Sequence, residues 1–385
     1  MSRRGTRGPR AFQAALVSVV LLAVGGCWNG GDGGKPISRP VETEQTLRSG
    51  PDVRYVSPDG SNGDAGTERA PWRTLRHALP SLNPGQLLYV RDGTYREDLR
   101  RLVLNQGAAD EPIVVQAYPG ERALVRGLVW LRQPSYWTFD GLDVTWDKKL
   151  ADPPPHMVKV TGGVGWTWTS SEIWGAEAAS NILITGWQSS EPADWAFVGN
   201  CVHSLLGSDT VVRGSNLTVG DMPDGAGPGT IEGNLFFDVE AGRNLLLGRN
   251  RGPDTGGPVD VLVRWNTIYD SDTAIALAGE TREVRIERNI LGGVSSRTLV
   301  RSRRLDGLEG QERAKVQQNL GIASEDPSAD EQLFFQEADA GDLSPNRAGN
   351  TIVDYDYADF DDTTSCDGFN STESVVLPYG RDAIG

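Results

Sequence analysis

Short runs of alternating hydrophobic and polar residues recur along the second half of the chain, separated by segments rich in Gly, Asn and Asp. Alternation with a period of two is typical of β-strands. Four of these runs carry an asparagine in a similar place, namely Asn234, Asn266, Asn289 and Asn319. The intervals between them are 32, 23 and 30 residues, which indicates a repeat architecture with loops of varying length.

This register predicts a β-solenoid. Second strand-like runs lie between the asparagine-containing runs, at 244–248, 274–279 and 298–302. Alternating aliphatic residues such as Val261 and Val263 would fill the interior, and an inward asparagine at each bend can hydrogen-bond the backbone of the next coil. A β-sandwich or propeller is the alternative, because short strands at modest spacing also occur there. We therefore predict an all-β fold whose coils stack along one axis.

The start of the body predicts a short helix. Strand-like runs at 53–57 and 86–90 flank an amphipathic stretch that begins at Thr74. Leu75, Ala78, Leu79 and Leu82 can share one face of a helix. Such a helix would cover the open end of the solenoid.

Several segments resemble one family. YVSPDGS, APWRTLRHAL and PGQLLYVRDGTY resemble the N-terminal part of pectate-lyase-like β-helix proteins, and GDLSPNRAGN, VDYDYADFDD and GRDAIG resemble the closing segment of many surface β-helix proteins. The resemblance implies a single-stranded right-handed parallel β-helix with a short N-terminal capping helix over residues 51–355, and a closing segment over 356–385. It implies no particular reaction, because this N-terminal part also occurs on proteins of no known activity.

The N-terminus has the pattern of an export signal. A basic start is followed by the apolar run AFQAALVSVVLLAV and by Gly25-Gly26-Cys27. The apolar run is shorter than the about 20 residues of a membrane span, and the small residues before Cys27 resemble the lipobox of bacterial lipoproteins. An ordinary signal peptide or a signal anchor is the alternative.

The lipobox resemblance implies a signal peptide over residues 1–26, a lipid on Cys27 and a flexible linker over 27–50. Trp28, which follows Cys27, is not the aspartate that resembles an inner-membrane retention signal. The resemblance therefore also implies an outer-membrane or cell-surface location. The other two cysteines, Cys201 and Cys366, can pair in an oxidising compartment, but their spacing does not establish a disulfide.

The charge balance bears on partners. The formal net charge is -15, from 37 Lys and Arg against 52 Asp and Glu. Nucleic-acid binding draws its affinity from clustered Lys and Arg, so this acidity argues against a nucleic-acid partner and favours a soluble surface. We expect a monomer.

The family resemblance also implies a substrate class. β-Helix proteins of the lyase kind bind acidic polysaccharide on the outside of a parallel sheet, where a cation neutralises the carboxylate and a Lys or Arg removes the C5 proton for β-elimination. The expected function is therefore to bind acidic extracellular polysaccharide at the cell surface, with uronate β-elimination as the reaction if the protein is catalytic and calcium as the candidate cofactor. The alternatives are a non-catalytic structural or adhesion solenoid and a glycoside hydrolase, which needs two or three carboxylates facing one groove.

Residues 205–227, together with 236–244, hold the main candidate site. Arg213 and Arg243 are the candidate bases. Calcium would be held by carboxylates of the same region: Asp209, Asp221, Asp224 and Asp238. Asp-Gly steps are also ordinary turn chemistry, which is the alternative for these carboxylates.

A second candidate site lies in DGLDVTWDKK. Asp143 and Asp147 can share one strand face, since side chains alternate along a strand. Lys148 follows directly and is a third candidate base. The Asp140-Gly141 step is equally suited to a turn between coils.

Tryptophans are concentrated between residues 166 and 195. Trp166, Trp168 and Trp174 are predicted to bind substrate, because sugar rings stack on exposed aromatic faces. Core packing is an equally good interpretation. The three histidines are too scattered for a zinc motif: His77, His156 and His203.

Overall fold

A computed structural model describes residues 47–149, 155–186, 192–207, 213–220, 227–248, 257–278, 281–295, 298–302, 314–322, 333–337, 351–353 and Cys366. All of them fall within one unit, Leu47–Gly385. The predicted signal peptide and lipidation site Cys27 lie outside the described residues, as do most of the linker and of the closing segment. No helix in the described part of the chain is both long and apolar enough to cross a membrane.

The chain winds into coils whose strands form three parallel faces. The first face contains β1 (Val53–Val56), β2 (Leu87–Val90), β4 (Ile113–Ala117), β6 (Trp137–Asp140), β9 (Thr167–Thr169), β12 (Trp195–Val198), β15 (Gly229–Glu232), β18 (Val261–Arg264), β21 (Val284–Glu287) and β24 (Ala314–Gln317). The second face contains β3 (Gly93–Leu99), β5 (Ala123–Arg132), β7 (Leu142–Thr145), β10 (Glu172–Trp174), β13 (Cys201–His203), β16 (Leu235–Phe236), β19 (Thr267–Ile268), β22 (Ile290–Leu291), β25 (Leu320–Ile322) and β27 (Thr351–Val353).

The third face continues from the end of the long strand β5. It contains β8 (His156–Thr161), β11 (Ser180–Thr185), β14 (Gly214–Val219), β17 (Gly242–Leu247), β20 (Thr273–Leu277), β23 (Thr298–Ser302) and β26 (Leu333–Glu337). Neighbouring strands pair in parallel within each face. The fold is therefore the predicted parallel β-helix, and the alternative sandwich or propeller is wrong.

From β6 onward each described coil holds three strands rather than the two that the sequence indicates. The extra strands are the short ones of the second face, such as β16 and β19, which are only two residues long. Two residues cannot show an alternation of hydrophobic and polar side chains. The sequence pattern therefore merges them with the corner that precedes them.

Asparagines stack along one corner of the solenoid, as the register predicts. The side-chain amide of Asn234 donates to the amide oxygen of Asn266 at 2.9 Å, and Asn266 donates to Asn289 at 3.0 Å. The same acceptor oxygens also receive a backbone N–H from the preceding coil. All these asparagines are fully buried, so the ladder satisfies backbone groups that water cannot reach.

A second ladder was not predicted. Asn181 donates to Asn216 and Asn216 to Asn244, both at 2.8 Å, at the corner between the second and third faces. These three asparagines lie inside strands rather than beside a recognisable turn. Their neighbours in the sequence therefore do not mark them as a repeat.

The helix α1 (Leu75–Ser81) forms where the amphipathic pattern predicts it. Thr74 caps its N-terminus by accepting the His77 N–H. The Glu97 carboxylate accepts the backbone N–H groups of Leu75 and Arg76, each at 2.8 Å. Leu75 and Leu79 are fully buried and join the main core, as expected for a capping helix.

Candidate functional site

The third face carries a pocket where the two predicted arginines meet. It is lined by residues from four successive coils: Arg213, Gly242, Arg243, Asp272, Thr273, Ala276, Leu277 and Arg301. Parallel register explains the meeting, because Ser215 lies opposite Arg243 and Arg243 opposite Thr273, while Ala276 lies opposite Arg301. We call this set the arginine pocket.

The arginine pocket is positively charged. Its lining includes three arginines and one acidic residue, Asp272, whose carboxylate accepts the Ser295 hydroxyl at 2.8 Å. Arg243 is oriented by hydrogen bonds to the Ser215 hydroxyl at 3.2 Å and the Arg213 carbonyl at 3.4 Å. The cavity is only about 40 Å³, room for one or a few waters, so it suits a small anionic group rather than a whole sugar ring.

The other charged residues predicted for the candidate sites are not among the described residues that line the arginine pocket. Lys148 lies elsewhere on the surface and pairs with Glu177 at 2.6 Å. The carboxylate of Asp238 accepts the Ser204 hydroxyl at 2.6 Å. The remaining predicted calcium ligands lie outside the described residues: Asp209, Asp221 and Asp224.

The predicted tryptophan platform is corrected by the structure. Trp166 and Trp168 are 1% exposed and lie inside the coil, where Trp168 stacks on Phe139 at 5.0 Å and Trp166 on Trp195 at 5.6 Å. Both rings are therefore buried and used for core packing. They therefore cannot receive a sugar.

Trp174 points outward but its ring faces are also in use. The Arg122 guanidinium carbon lies 5.6 Å from the ring centroid, and the His203 ring lies parallel to it at 6.0 Å. The prediction that Trp174 offers a stacking face for sugar is therefore not supported.

The second face carries a cluster of polar side chains that the sequence analysis did not assemble. Asp143 and Glu172 lie on the neighbouring strands β7 and β10, where the Asp143 carboxylate accepts the Glu172 N–H at 2.8 Å, and Arg122 binds both carboxylates. The other oxygen of Glu172 contacts Nε2 of His203 at 3.0 Å. We call Arg122, Asp143, Glu172 and His203 the histidine cluster.

Burial and pairing shift the pKa values of the two carboxylates of the histidine cluster in opposite directions. Burial raises the pKa of Asp143, and its bonds to the Glu172 N–H and to Arg122 only partly oppose this. Burial also acts to raise the pKa of Glu172, but the hydrogen bond with His203 and the charge of Arg122 outweigh it and lower that pKa below its usual value. Glu172 is therefore held as the carboxylate.

The histidine cluster extends to the next corner of the coil. Nδ1 of His203 lies 2.9 Å from the Ser204 hydroxyl, which in turn donates to Asp238. The His203 ring is held between Trp174 and Phe237, the latter parallel at 4.7 Å. Only the spacing of Glu172, His203 and Asp238, 31 and then 35 residues apart, carries a signal, and it equals about one coil each time.

A disulfide joins Cys201 and Cys366, 165 residues apart in the sequence. Cys201, His203 and Cys366 form the one group in the described residues with the ligand-atom spacing of a metal site. Disulfide sulfurs are not the thiolates that metal binding requires. The group therefore does not fit a metal centre while the disulfide is formed.

The disulfide makes a direct prediction for chemical labelling. In the unreduced protein, denatured in iodoacetamide, the peptides containing Cys201 and Cys366 should carry no alkyl group and should appear as one cross-linked species by mass spectrometry. After reduction each peptide should gain one adduct. Quantitative alkylation of both peptides without reduction would contradict the pairing.

The stacked coils define the class, a right-handed parallel β-helix, as the resemblance implied. Residues 54–167 match the family model of the Pel9A-like, right-handed beta helix region. Pectate lyase PEL9 of Emericella nidulans is 30% identical over 110 residues, which cover 23% of this chain and 27% of that protein. The uncharacterized protein YwoF of Bacillus subtilis is 38% identical over 76 residues, which cover 20% of this chain and 16% of that protein. The chain thus spans about a quarter or less of the length of these curated relatives.

A solved structure shares the fold, and another aligns with the chain less closely. A structure described as a glycoside hydrolase aligns with a TM-score of 0.53 at 9% identity, over 78% of this chain and 96% of its own. The crystal structure of pectate lyase Pel9A aligns with a TM-score of 0.48 at 15% identity, over 82% of this chain and 83% of its own. At these identities the likeness concerns the fold alone.

Proposed function

We propose that this protein is an exported lipoprotein that binds acidic extracellular polysaccharide at the arginine pocket. The observation that carries the proposal is the convergence of Arg213, Arg243 and Arg301, from three of four successive coils, on one small cavity. Planar guanidinium groups bind carboxylates in a bidentate manner. In a chain with a net charge of -15, a local group of three arginines is selective for an anion.

The geometry of a solenoid favours a polymeric ligand. Neighbouring parallel strands are about 4.8 Å apart, so the pocket arginines line up along the axis of the helix rather than around a point. A polymer lying along the third face can place successive carboxylates near successive guanidinium groups. The similarity of residues 54–167 to a pectate-lyase family supports a uronate polymer as this ligand.

Cleavage by β-elimination is the finer part of the proposal. Arg243 would neutralise the substrate carboxylate, which makes the C5 proton more acidic. Arginine keeps its proton in ordinary circumstances, so a base role for Arg213 or Arg243 needs a direct test. A non-catalytic adhesion solenoid would use the same pocket for binding only.

Calcium enters as a second finer proposal. Asp238, one of its four predicted ligands, is already hydrogen-bonded by Ser204, so the structure gives that residue no support as a ligand. The proposal then depends on Asp209, Asp221 and Asp224. An assay with and without calcium tests it.

Export and lipid anchoring at Cys27 are proposed from the leader. The Cys201–Cys366 disulfide supports export, because disulfides persist mainly in oxidising compartments. Metabolic labelling with a radioactive fatty acid should mark the wild-type protein. Labelling that survives Cys27→Ser would overturn the lipid proposal.

Binding depends on Arg243, so Arg243→Gln should weaken it. A charge-assisted hydrogen bond is worth about 1.5–3 kcal/mol, so the dissociation constant for polygalacturonate should rise about tenfold or more. Isothermal titration or affinity electrophoresis measures this change. The matched control is Arg285→Gln, an outward arginine on β21 of the first face, which should bind like the wild type. Equal affinity of all three proteins would overturn the pocket assignment.

Cleavage is tested on a panel of pectate, alginate and glycosaminoglycans, with and without calcium, by the ultraviolet absorbance of the unsaturated product. Absorbance that grows with wild type but not with Arg243→Gln supports β-elimination. Binding without any product on the panel supports the adhesion function instead. Reducing ends that appear without ultraviolet absorbance would indicate hydrolysis.

A further inference from the structure

Ser204 lies at a corner of the second face, where its hydroxyl contacts two side chains that can act as acid or base. Its Oγ is 2.9 Å from Nδ1 of His203 and 2.6 Å from the Asp238 carboxylate, to which it donates. A hydroxyl oxygen that donates to a carboxylate accepts from its other neighbour. His203 therefore presents Nδ1–H to Ser204, and the serine has a base on one side and an acid on the other.

Glu172 completes this arrangement. Its carboxylate lies 3.0 Å from Nε2 of His203 and accepts a hydrogen bond there, which fixes the orientation of the imidazole. Arg122 fixes Glu172 from the other side, and the rings of Trp174 and Phe237 fix the plane of the imidazole. A nucleophile in hydrogen-bond reach of an acid–base group that a third group orients is the signature of covalent catalysis.

The backbone presents the Ser204 side chain in a defined direction. Ser204 has φ of 51°, in the left-handed region, where a residue other than glycine costs free energy and is retained only when its surroundings hold it. Asp238 occupies the same corner of the next coil, with φ of 54°. Ser204 is partly exposed, whereas the His203 side chain is 10% exposed.

We propose that Ser204 is the nucleophile of a second site, which hydrolyses short acyl esters carried on the hydroxyl groups of a polysaccharide. An outward corner of a long flank can reach a substituent that projects from a polymer lying along the solenoid. The site shares no residue with the arginine pocket. It is therefore an activity in addition to the proposed function.

The reaction balances with the groups that are present. Ser204 Oγ bonds to the acyl carbon while its proton passes to Asp238. The bond between the acyl carbon and the sugar oxygen breaks, and the sugar oxygen takes the Nδ1 proton of His203. Water then attacks the acyl-serine and gives a proton to His203. Release of the carboxylic acid returns the proton of Asp238 to Ser204, so one ester and one water give one alcohol and one acid.

The direct test is covalent labelling of the intact protein with a fluorophosphonate probe. The wild type should gain one phosphonyl group, and peptide mapping should place it on Ser204. Ser204→Ala should gain none. The matched control is Ser170→Ala, which removes another serine with positive φ whose hydroxyl contacts only Thr169 in the described structure; it should be labelled like the wild type. An unlabelled wild type, or a label that persists in Ser204→Ala, would overturn the proposal.

Turnover of p-nitrophenyl acetate provides the second measurement. Asp238→Asn should reduce the rate about 10²–10⁴-fold, as expected for loss of a general base. Wild-type rates no higher than those of Ser204→Ala would overturn the proposal. Affinity for polygalacturonate should be the same in wild type and Ser204→Ala, so a failure here is distinct from a failure of the arginine pocket.

Discussion

Replacing Trp168 with alanine should lower the free energy of unfolding by about 3–5 kcal/mol, the usual cost of removing a fully buried large aromatic side chain. Trp168 is 1% exposed and stacks on Phe139 of the preceding coil. Its removal leaves a cavity between coils that the parallel backbones cannot close, because their spacing is set by hydrogen bonds. Urea unfolding followed by far-ultraviolet circular dichroism measures the loss.

The matched control for Trp168 is Trp130→Ala. Trp130 faces outward on β5 and contacts Lys159 and Arg100 through its ring, so we expect a loss of about 1 kcal/mol, the size of an exposed cation–π contact. Polysaccharide affinity should be unchanged in Trp168→Ala under native conditions. Equal destabilisation by both variants, or a specific loss of affinity in Trp168→Ala, would contradict the interior position of the ring.

The second large effect is expected for Asn234→Ala. The Asn234 side chain accepts the backbone N–H of Asn200 at 2.8 Å and donates to the Phe197 carbonyl at 2.9 Å, all in a fully buried corner. Each buried group left without a partner costs about 1–3 kcal/mol. The free energy of unfolding should therefore fall by about 2–5 kcal/mol, as measured by urea unfolding.

Asn83→Ala is the control for the asparagine ladder. Asn83 is exposed in the loop between α1 and β2, so its replacement should change the free energy of unfolding by less than about 0.5 kcal/mol. Asn234→Asp should not restore the free energy of unfolding to the wild-type value, because a carboxylate cannot donate to the Phe197 carbonyl. A loss in Asn234→Ala no larger than that in Asn83→Ala would contradict the role of the ladder.

The amino-acid sequence alone determined the stacking of the coils. Asn234, Asn266, Asn289 and Asn319 recur at one place in each repeat because the corner needs an amide that both accepts and donates. The helix over Leu75–Ser81 could also be predicted from the sequence, since its capping threonine and its apolar positions are local features. Local features and residues that recur at regular intervals can be recognised in the sequence without the structure.

Whether each tryptophan points into or out of the coil could not be predicted from the sequence. Trp168 belongs to a strand of three residues that Trp166 directly precedes, and Trp174 belongs to another strand of three, so neither strand is long enough to show which of its side chains point inward. The tertiary structure decided that the first two fill the interior while Trp174 stands outside against His203. The sequence-based prediction treated all three alike for this reason.

The two functional groupings show the same division. Arg213 and Arg243 were predicted from the sequence because they lie in the same region as the candidate calcium ligands, yet Arg301 joins them only through the register of β20 and β23. Glu172, His203, Ser204 and Asp238 come from three coils, and loops of unequal length hide which residues become neighbours. The repeat pattern determines that coils stack, whereas the register of each coil, and with it every contact between coils, depends on backbone hydrogen bonds and core packing that only the folded chain makes.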